Sequence, residues 1–309
     1  MTPDVEPDGA TSSTILAEIG DQQQPAAISE AALLAQNYQV GGIVTKGALY
    51  TVRRARQRST QDACLVRSVD LRDAKDGWGL TKDGSDFHIY TQQANEQVRA
   101  DVEEEVRILT QLRHPHIHEL KEWLDGVDLA FEIVKRAANG FVFSEAVASH
   151  YMRQLCQALD HAHRKGFVHR DVRPHNVVLA SRDNSAPLKL CGWAVAARLA
   201  DDGRLARATG PLGVPQFMAP EMAAGRRYGS KVDSWSVGIL LHLLLCGRLP
   251  FDGTREAVYA ALRHPRVVFN APIWQQISGA AKDLLARLLL ADETRRLSCG
   301  LSPPFASSL

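Results

Sequence analysis

The stretch that decides the fold is His169-Arg170-Asp171-Val172-Arg173-Pro174-His175-Asn176, which reads H-R-D-V-R-P-H-N. Asp171 offers a carboxylate that can accept a proton, and Asn176 offers an amide oxygen that can hold a metal ion. A base and a metal ligand at this spacing suit chemistry in which both converge on one reacting group. The motif is short, and a basic turn after an amphipathic helix is the alternative explanation.

The residues on either side of the motif predict how it is held in the fold. Ser144 is a suitable N-cap for a helix that runs through Tyr151 and stops near Gly166. This helix places the motif on the loop that follows it. After the motif, two apolar runs predict a supporting pair of strands, residues 177–179 and 188–190.

The composition describes an ordinary soluble chain. The 309 residues are 45% hydrophobic and 23% charged, with a formal net charge of +1, which fits one or two globular domains and no specialised nucleic-acid or membrane binding. The five cysteines are widely separated and form no C-x-x-C pair, so buried thiols are favoured over disulfides or zinc. The longest apolar run, residues 237–246, is too short for a transmembrane segment. We therefore expect a cytoplasmic protein.

The N-terminal third combines a polar extension, a sheet and a long loop. Residues 1–37 carry only acidic charges and are rich in Pro, Ser, Gln and Ala, which predicts disorder and no export signal. Three β-rich runs predict antiparallel strands over residues 38–44, 49–56 and 63–69. The polar insert at residues 72–101 is interpreted as a surface loop.

An amphipathic helix is predicted over residues 102–112, where apolar side chains recur at helical spacing until a proline follows. The histidines after it, His114, His116 and His118, alternate along the chain. A metal site is one interpretation of this pattern. Solvated imidazoles in a proline-containing turn are the favoured one.

Two further signals follow the loop motif in the C-terminal half. Residues 218–221 read M-A-P-E, and residues 233–238 open a buried helix. Arg296 lies near the end of the helical region.

In this order, the motifs resemble those of protein kinases of the calmodulin-dependent group, and in particular the CASK-like kinase domains of the membrane-associated guanylate kinase family. The specific matches are F-E-I-V-K-R-A at residues 131–137, S-E-A-V-A-S-H-Y-M-R-Q at residues 144–154 and N-S-A-P at residues 184–187. The resemblance covers about residues 38–297.

This resemblance implies an α+β fold, the bilobal protein-kinase-like fold with a shortened N-terminal β-lobe and a helical C-terminal lobe. The expected N-terminal lobe covers residues 38–124, including the long loop at 72–101. The expected C-terminal lobe covers residues 125–301, and residues 302–309 form a tail.

The resemblance also implies an ion pair of Arg296 with Glu221 and roles for individual residues. Asp171 matches the catalytic base, Asn176 matches a metal ligand, and Arg173 replaces the lysine of the catalytic loop. Glu105 matches the helix carboxylate that orients the ATP-contacting lysine, whose place in the third strand is taken by Arg67. Arg67 either contacts phosphate or forms a structural ion pair with Glu105, and its planar fork is not equivalent to a compact ammonium.

Other positions depart further from the kinase pattern. Gly192 replaces the aspartate that would hold magnesium, so Asn176 remains as a weak metal ligand. The turn that would cover ATP phosphates contains Lys46 and Gly47. Gly47 is the only glycine of the family's pattern, and a plain hairpin turn explains this segment equally well. Val214 replaces a threonine that would hydrogen-bond to Asp171.

The segment that would bind adenine is missing. A kinase needs two strands and a connecting hinge at about residues 123–125, and the chain passes directly from Leu124 to Asp125. Either the adenine-binding edge is deleted in the protein, or an error in the gene structure removed it.

Three explanations of function follow. The first is a pseudokinase, a kinase-like domain with little phosphotransfer that serves as a binding or scaffold module. The second is a weak, atypical serine/threonine kinase that uses ATP with reduced dependence on magnesium. In it Asp171 is the base, Asn176 and Arg67 contact the phosphates, and Lys46 substitutes for the lost lysine. The third is a truncated product of a larger scaffold gene.

Whether the protein is an enzyme is left open at this point, as is its oligomeric state. We expect protein partners, no nucleic acid, and, where a partner recruits the chain, a peripheral position at the plasma membrane.

Overall fold

The computed structural model describes residues 38–46, 50–59, 61, 63–69, 104–119, 127–207 and 212–300. By its internal contacts the chain divides into two compact units, Met1–Glu103 and Glu104–Leu309. The proposed turn at Gly47, the long loop at 72–101 and the acidic extension lie outside the described residues.

The first unit contains an antiparallel sheet with the strand order β1-β2-β3. Its strands are β1 (Tyr38–Lys46), β2 (Tyr50–Gln57) and β3 (Ala63–Val69). Val40 lies opposite Ala55, and Arg53 lies opposite Val66. Valine, threonine and tyrosine suit the pleated surface of a sheet, and the three predicted antiparallel strands are confirmed.

The second unit is mainly helical. Its helices are α1 (104–111), α2 (Leu129–Ala138), α3 (Glu145–Arg164), α4 (Pro220–Ala223), α5 (Lys231–Cys246), α6 (Arg255–Arg263) and α7 (Gly279–Leu288). Its short strands are β4 (Val127–Asp128), β5 (Phe167–Val168), β6 (Val177–Leu179), β7 (Leu188–Leu190) and β8 (Ala197–Arg198). β4, β6 and β7 form one antiparallel sheet, and β5 pairs with β8. The predicted pairing of β6 with β7 is therefore confirmed.

Helix α3 begins and ends where the sequence predicts. The hydroxyl of Ser144 accepts a hydrogen bond from the backbone N–H of Val147 and caps the first turn. The helix ends at Arg164, and Gly166 follows with a φ of +78°, a left-handed conformation that favours glycine. The H-R-D motif follows two residues of strand β5 and lies on a loop, as expected.

Helix α5 forms the centre of the core and is buried on nearly all sides. Trp235, Ile239 and Leu240 are fully buried, and α3 and α7 pack against the helix. A Cβ atom on Gly238 would lie 2.8 Å from the Leu289 side chain, so a larger residue there would force the chain after α7 away from α5. The apolar run at residues 237–246, which the sequence analysis found too short to cross a membrane, lies within this core helix. Among the described residues, no helix is long and apolar enough to span a membrane.

Residues 104–119 pack into the second unit, although the sequence analysis assigned them to the N-terminal lobe. Ile108, Leu112 and Ile117 are fully buried in its hydrophobic core. Ile117 also forms a parallel β-bridge with Leu190, and the backbone N–H of His118 donates to the Leu190 carbonyl. These contacts explain why residues 104–119 belong to the second compact unit.

The predicted ion pair between Glu221 and Arg296 is confirmed. Nη1 and Nη2 of Arg296 donate to the two carboxylate oxygens of Glu221 at 2.6 and 2.9 Å, and both side chains are almost fully buried. Arg296 also donates to the carbonyl of Leu290 and lies over the ring of Trp235. The guanidinium fork joins the start of α4 to the end of the helical region and leaves few of its donors unused.

We expect Arg296→Lys to lower the free energy of unfolding by about 3 kcal/mol, because an ammonium cannot reproduce the two-pronged contact and Glu221 would keep a poorly paired buried charge. Urea denaturation measures this change. Arg295→Lys is the matched control at the exposed neighbouring position and should change stability by less than about 0.5 kcal/mol. Equal effects of the two variants would contradict the role given to the buried pair.

Candidate functional site

The H-R-D loop is held by one buried carboxylate, that of Asp233 near the start of α5. Its Oδ1 accepts the backbone N–H of Arg170 at 2.9 Å, and its Oδ2 accepts the backbone N–H of His169 at 2.9 Å. His163 Nε2 lies 2.7 Å from the same Oδ2. Arg170 has a φ of +71°, a strained value for a residue with a side chain. The backbone hydrogen bonds that Asp233 accepts hold Arg170 in this conformation.

The pKa values of Asp233 and of the two histidines beside it are shifted in different directions. Burial opposes charge on His163, but the hydrogen bond and negative charge of Asp233 outweigh it and raise the pKa of His163. Burial likewise opposes charge on Asp233, yet His163, with a smaller contribution from His169, lowers the pKa of the carboxyl. Burial lowers the pKa of His169. These shifts favour the charged forms of Asp233 and His163 and the neutral form of His169.

His169 is oriented by contacts that fix its tautomer. Its Nδ1 accepts the backbone N–H of Asp171 at 3.2 Å, so Nε2 carries the proton and donates to the Cys191 carbonyl at 2.9 Å. The ring meets the edge of Trp193, with the ring centroids 4.6 Å apart. The hydrogen bond to Cys191 and the ring contact with Trp193 therefore hold the residues after β7 against the H-R-D loop.

The three predicted site residues of this loop form one cluster. Asn176 Nδ2 donates at 2.7 Å both to the carbonyl and to Oδ2 of Asp171. Arg173 Nε lies 3.1 Å from each carboxylate oxygen of Asp171. A short 3-10 helix, Pro174–Asn176, returns the chain so that Asn176 faces Asp171. The carboxylate of Asp171 is thus engaged by two side chains of its own loop.

Gly192 closes the cluster on the opposite side. Its φ is +78°, and a Cβ atom there would lie 2.4 Å from Asn176 Oδ1 and 2.5 Å from Asn176 Cγ. The amide of Asn176 therefore fills the space that a side chain at position 192 would enter. Gly213 also lies close, since a Cβ atom there would be 3.2 Å from Asp171 Oδ1.

The chain matches the protein kinase domain family over residues 87–302. The chain belongs to the protein kinase family. The α+β kinase fold expected from the motifs is therefore confirmed.

Three similar proteins indicate more specifically where the chain belongs within the protein kinase family. The chain is 40% identical to Protein lin-2 of Caenorhabditis elegans over 279 residues, which cover 86% of this chain and 27% of that protein. It is 32% identical to the calcium/calmodulin-dependent protein kinase type 1 of Macrobrachium nipponense over 208 residues, 64% of this chain and 59% of that one. It is 30% identical to the serine/threonine-protein kinase DCLK3 of Mus musculus, over 84% of this chain and 31% of that protein.

The CASK-like resemblance within the calmodulin-dependent group is confirmed by these matches. The kinase-like chain spans less than two thirds of each of these three relatives.

The remaining predicted site residues lie on β1, on β3, directly after β1 and on α1. Lys46 ends β1, and Arg67 lies within β3 opposite Val52, but their side chains and Gly47 are outside the described part of the structure. Glu105 lies on α1 and is buried. Contacts of Lys46, Gly47 and Arg67 with ATP phosphates, and of Arg67 with Glu105, stay predictions.

The residues of the loop do not fit the magnesium site that the kinase family uses. Gly192 supplies no carboxylate, and the space beside it is filled by the Asn176 amide, which points its Nδ2 at Asp171. No group of three or more His, Cys, Asp or Glu side chains suited to a metal ion occurs in the described ranges.

The gap between the loop and the following segment is very small. Asp171, Leu212, Val214 and Phe217 line a cavity of about 10 Å³, which corresponds to about one water molecule. Val214 accepts a backbone hydrogen bond from Phe217, and its apolar side chain offers no donor to Asp171.

Sequence reasoning identified Asp233 only as part of a buried helix and missed its role as the anchor of the loop. The available signal was an acidic residue in the first turn of an otherwise apolar helix. A carboxylate is almost never fully buried without partners, so a buried Asp233 required donors from elsewhere in the chain.

The histidine turn packs against α3, with His114 between His116 and His161. The ring centroids are 5.5 Å apart for His114 and His116 and 5.2 Å apart for His114 and His161. His116 Nδ1 lies 3.0 Å from the Leu188 carbonyl. Burial, with smaller contributions from His161 and His116, lowers the pKa of His114 to about 4. These imidazole rings are partly buried and are therefore not fully solvated.

We expect Gly192→Ala to destabilise the protein more than Gly166→Ala. Both glycines have a φ of +78°, but a Cβ atom at Gly166 would meet open space, whereas one at Gly192 would collide with Asn176. The shared backbone strain costs about 1 kcal/mol, and the collision adds about 1 to 3 kcal/mol. Thermal or urea denaturation of the two variants measures the difference, and equal losses would contradict the packing of Asn176 against Gly192.

We also expect the protein to lose stability as pH falls from about 6.5 to 4. The pKa values of His114, His116 and His161 are lowered by burial in the folded state. The unfolded chain therefore binds more protons in this range, and stability rises with pH. His163, whose pKa is raised, contributes in the opposite direction, so its stabilisation is lost as pH rises through its folded pKa.

The variant His114→Asn isolates this effect. It should flatten the pH dependence of the free energy of unfolding by on the order of 1 kcal/mol, because solvent partly screens this ring. Denaturation curves at pH 4.5, 5.5 and 7 provide the measurement, and His264→Asn, at an exposed histidine, is the control. An unchanged slope in His114→Asn would show that the cluster does not carry the effect.

Proposed function

We propose that this chain is a pseudokinase, a member of the protein kinase family that binds proteins and transfers little or no phosphate. The observation that carries the proposal is the closed cluster of Asp171, Arg173 and Asn176 beside Gly192. A general base must be available to the substrate hydroxyl, and here Asn176 and Arg173 both donate to the Asp171 carboxylate.

The electrostatics of the cluster support the same conclusion. In phosphoryl transfer, metal ions neutralise the charge that develops on the phosphate oxygens. Gly192 stands in place of a carboxylate, and Asn176 directs its Nδ2 at Asp171 while its Oδ1 lies on the side of Gly192. Losing a clamp worth several kcal/mol slows the reaction by orders of magnitude, at about 1.4 kcal/mol per tenfold.

A second candidate is a weak, CASK-like serine/threonine kinase that uses ATP with reduced metal dependence. The retained charge of Asp171, only partly exposed and beside Arg173, favours it. In this candidate Arg173, Lys46 and Arg67 supply fixed positive charge to the phosphates, and Asn176 is at most a weak ligand for magnesium.

The binding role implies protein partners, and recruitment by one of them would bring the chain to the plasma membrane from the cytoplasm. Similarity to Protein lin-2 supports this role only for the domain that the two chains share, because that domain is about a quarter of Protein lin-2.

A phosphotransfer assay separates the two candidates. The purified full chain is incubated with radiolabelled ATP and a serine/threonine peptide library, with magnesium or with EDTA. We expect no incorporation above that of Asp171→Asn, and no thermal stabilisation by ATP in either condition.

Asp201→Asn, at an exposed carboxylate, is the matched control. Incorporation that Asp171→Asn abolishes and Asp201→Asn preserves would overturn the pseudokinase proposal. Its persistence in EDTA would then establish the weak, metal-independent kinase.

A further inference from the structure

Two cysteines from distant parts of the chain meet in the core of the second unit. Cys156 lies in the middle of α3, and Cys299 lies in the segment that follows α7. The two residues are only 4% and 6% exposed, and their thiols are close enough to form a hydrogen bond with each other. Both are free thiols in this structure. We call them the thiol pair.

Neighbouring contacts fix the segment after α7 independently of the thiol pair. Ser234 Oγ, on α5, lies 3.4 Å from Cys299 Sγ. Gly300 packs closely against Asp160, because a Cβ atom at Gly300 would overlap the Asp160 carboxylate. Cys156 and Asp160 are four residues apart and therefore lie on one face of α3. Consecutive residues of the segment thus contact consecutive turns of the same helix face.

The two thiols differ in how readily they ionise. The hydrogen bond with Cys156 lowers the pKa of Cys299 despite its burial, and His163 and Ser234 contribute to the same shift. The same hydrogen bond, together with burial, raises the pKa of Cys156. Cys299 therefore becomes a thiolate more readily, and the thiolate is the form that reacts with oxidants. Cys156 remains beside it as the proton donor.

Two thiols in contact can hold a soft metal ion or form a disulfide. Structural metal centres use three or four protein ligands, and the described part of the chain contains no group of three or more His, Cys, Asp or Glu side chains suited to a metal ion. A disulfide needs only the two sulfur atoms, brought to about 2.05 Å. In the cytoplasm proposed for this chain, disulfides are usually transient and form on oxidation, so the free thiols are the resting state.

We propose that Cys156 and Cys299 form a reversible disulfide when the protein meets hydrogen peroxide, and that this bond fastens the segment after α7 to α3. The Cys299 thiolate attacks one peroxide oxygen, the O–O bond breaks, and hydroxide leaves and takes up the proton that Cys299 released. The Cys156 thiol then attacks the sulfenic sulfur, the S–O bond breaks, and the hydroxyl leaves as water with the proton of Cys156. In total the two thiols lose two electrons and two protons, and hydrogen peroxide is reduced to two water molecules.

The disulfide acts close to the anchor of the H-R-D loop. Ser234, which contacts Cys299, directly follows Asp233, and Cys156 lies two helical turns before His163 on α3. The bond closes a long loop of the chain, and such a constraint stabilises the folded state by restricting the unfolded one. Oxidation therefore stabilises the part of the core that holds the loop. The inference uses no phosphotransfer and is independent of the proposed function.

Peptide mass spectrometry of the full chain tests the bond directly. The protein is treated with hydrogen peroxide, free thiols are blocked with N-ethylmaleimide, and trypsin is added without a reductant. Cleavage after lysine and arginine places Cys156 in peptide 154–164 and Cys299 in peptide 297–309. We expect a linked pair of these two peptides, two hydrogen atoms lighter than their sum, which disappears after treatment with dithiothreitol.

Three outcomes on the parent chain would overturn the proposal, and none of them needs a variant that folds. The first is oxidation of Cys299 to a sulfinic acid without any linked peptides. The second is a linked pair that contains Cys246 in place of either member of the thiol pair. The third is a disulfide between two copies of the chain, seen as a dimer in non-reducing electrophoresis.

Thermal denaturation measures how firmly the bond fastens the segment. We expect the peroxide-treated chain to melt about 5 to 10 °C above the dithiothreitol-treated chain. Cys156→Ala and Cys299→Ala should each lose the linked peptides and melt at one temperature under both conditions. Cys246→Ala, at the far end of α5, is the matched control and should keep the linked peptides and the shift. Linked peptides without a shift in the parent chain would contradict the fastening.

Discussion

The buried carboxylate of Asp233 is the interaction on which the candidate site depends. It accepts two consecutive backbone N–H groups of the H-R-D loop and pairs with His163 of α3. A buried charge is tolerated only when it is paired and hydrogen-bonded, and Asp233 meets that condition by drawing the loop onto the core helix. The strained φ of Arg170 is the cost of this arrangement.

This anchor does not depend on catalysis. Asp233, His163 and His169 form their contacts on the core side of the loop, and Glu221 with Arg296 fastens the following region at a second buried point. Neither set includes a phosphate or metal ligand. The shape of the H-R-D loop is therefore held by side chains other than the one at position 192, where this chain has glycine.

Much of this architecture could be predicted from local sequence signals. Ser144 and Gly166 bound α3 through capping and a left-handed turn, which are properties of single residues and their near neighbours. The pairing of Glu221 with Arg296 was accessible only through the family resemblance, since the two residues are far apart in sequence. The packing of Asn176 against Gly192 was not predictable in either way, because it depends on which rotamer fills a space that a missing side chain leaves open.

The position of residues 104–119 shows the same limit. Periodicity correctly predicts α1, but it does not state which unit receives the apolar face of the helix. That is decided by the bridge of Ile117 with Leu190 and by the burial of Ile108. Long-range pairing of this kind leaves no local pattern in the sequence.

The substitutions in the loop are physically related to one another. The carboxylate of Asp171 is partly buried, and buried carboxylates need hydrogen-bond donors from the protein. Arg173 supplies one from Nε, and Asn176 supplies another because Gly192 leaves room for its amide to turn. An aspartate at position 192 would both collide with this amide and add a second anion beside Asp171. Gly192, Asn176 and Arg173 thus form a self-consistent set around the Asp171 carboxylate, which agrees with the proposed loss of phosphotransfer.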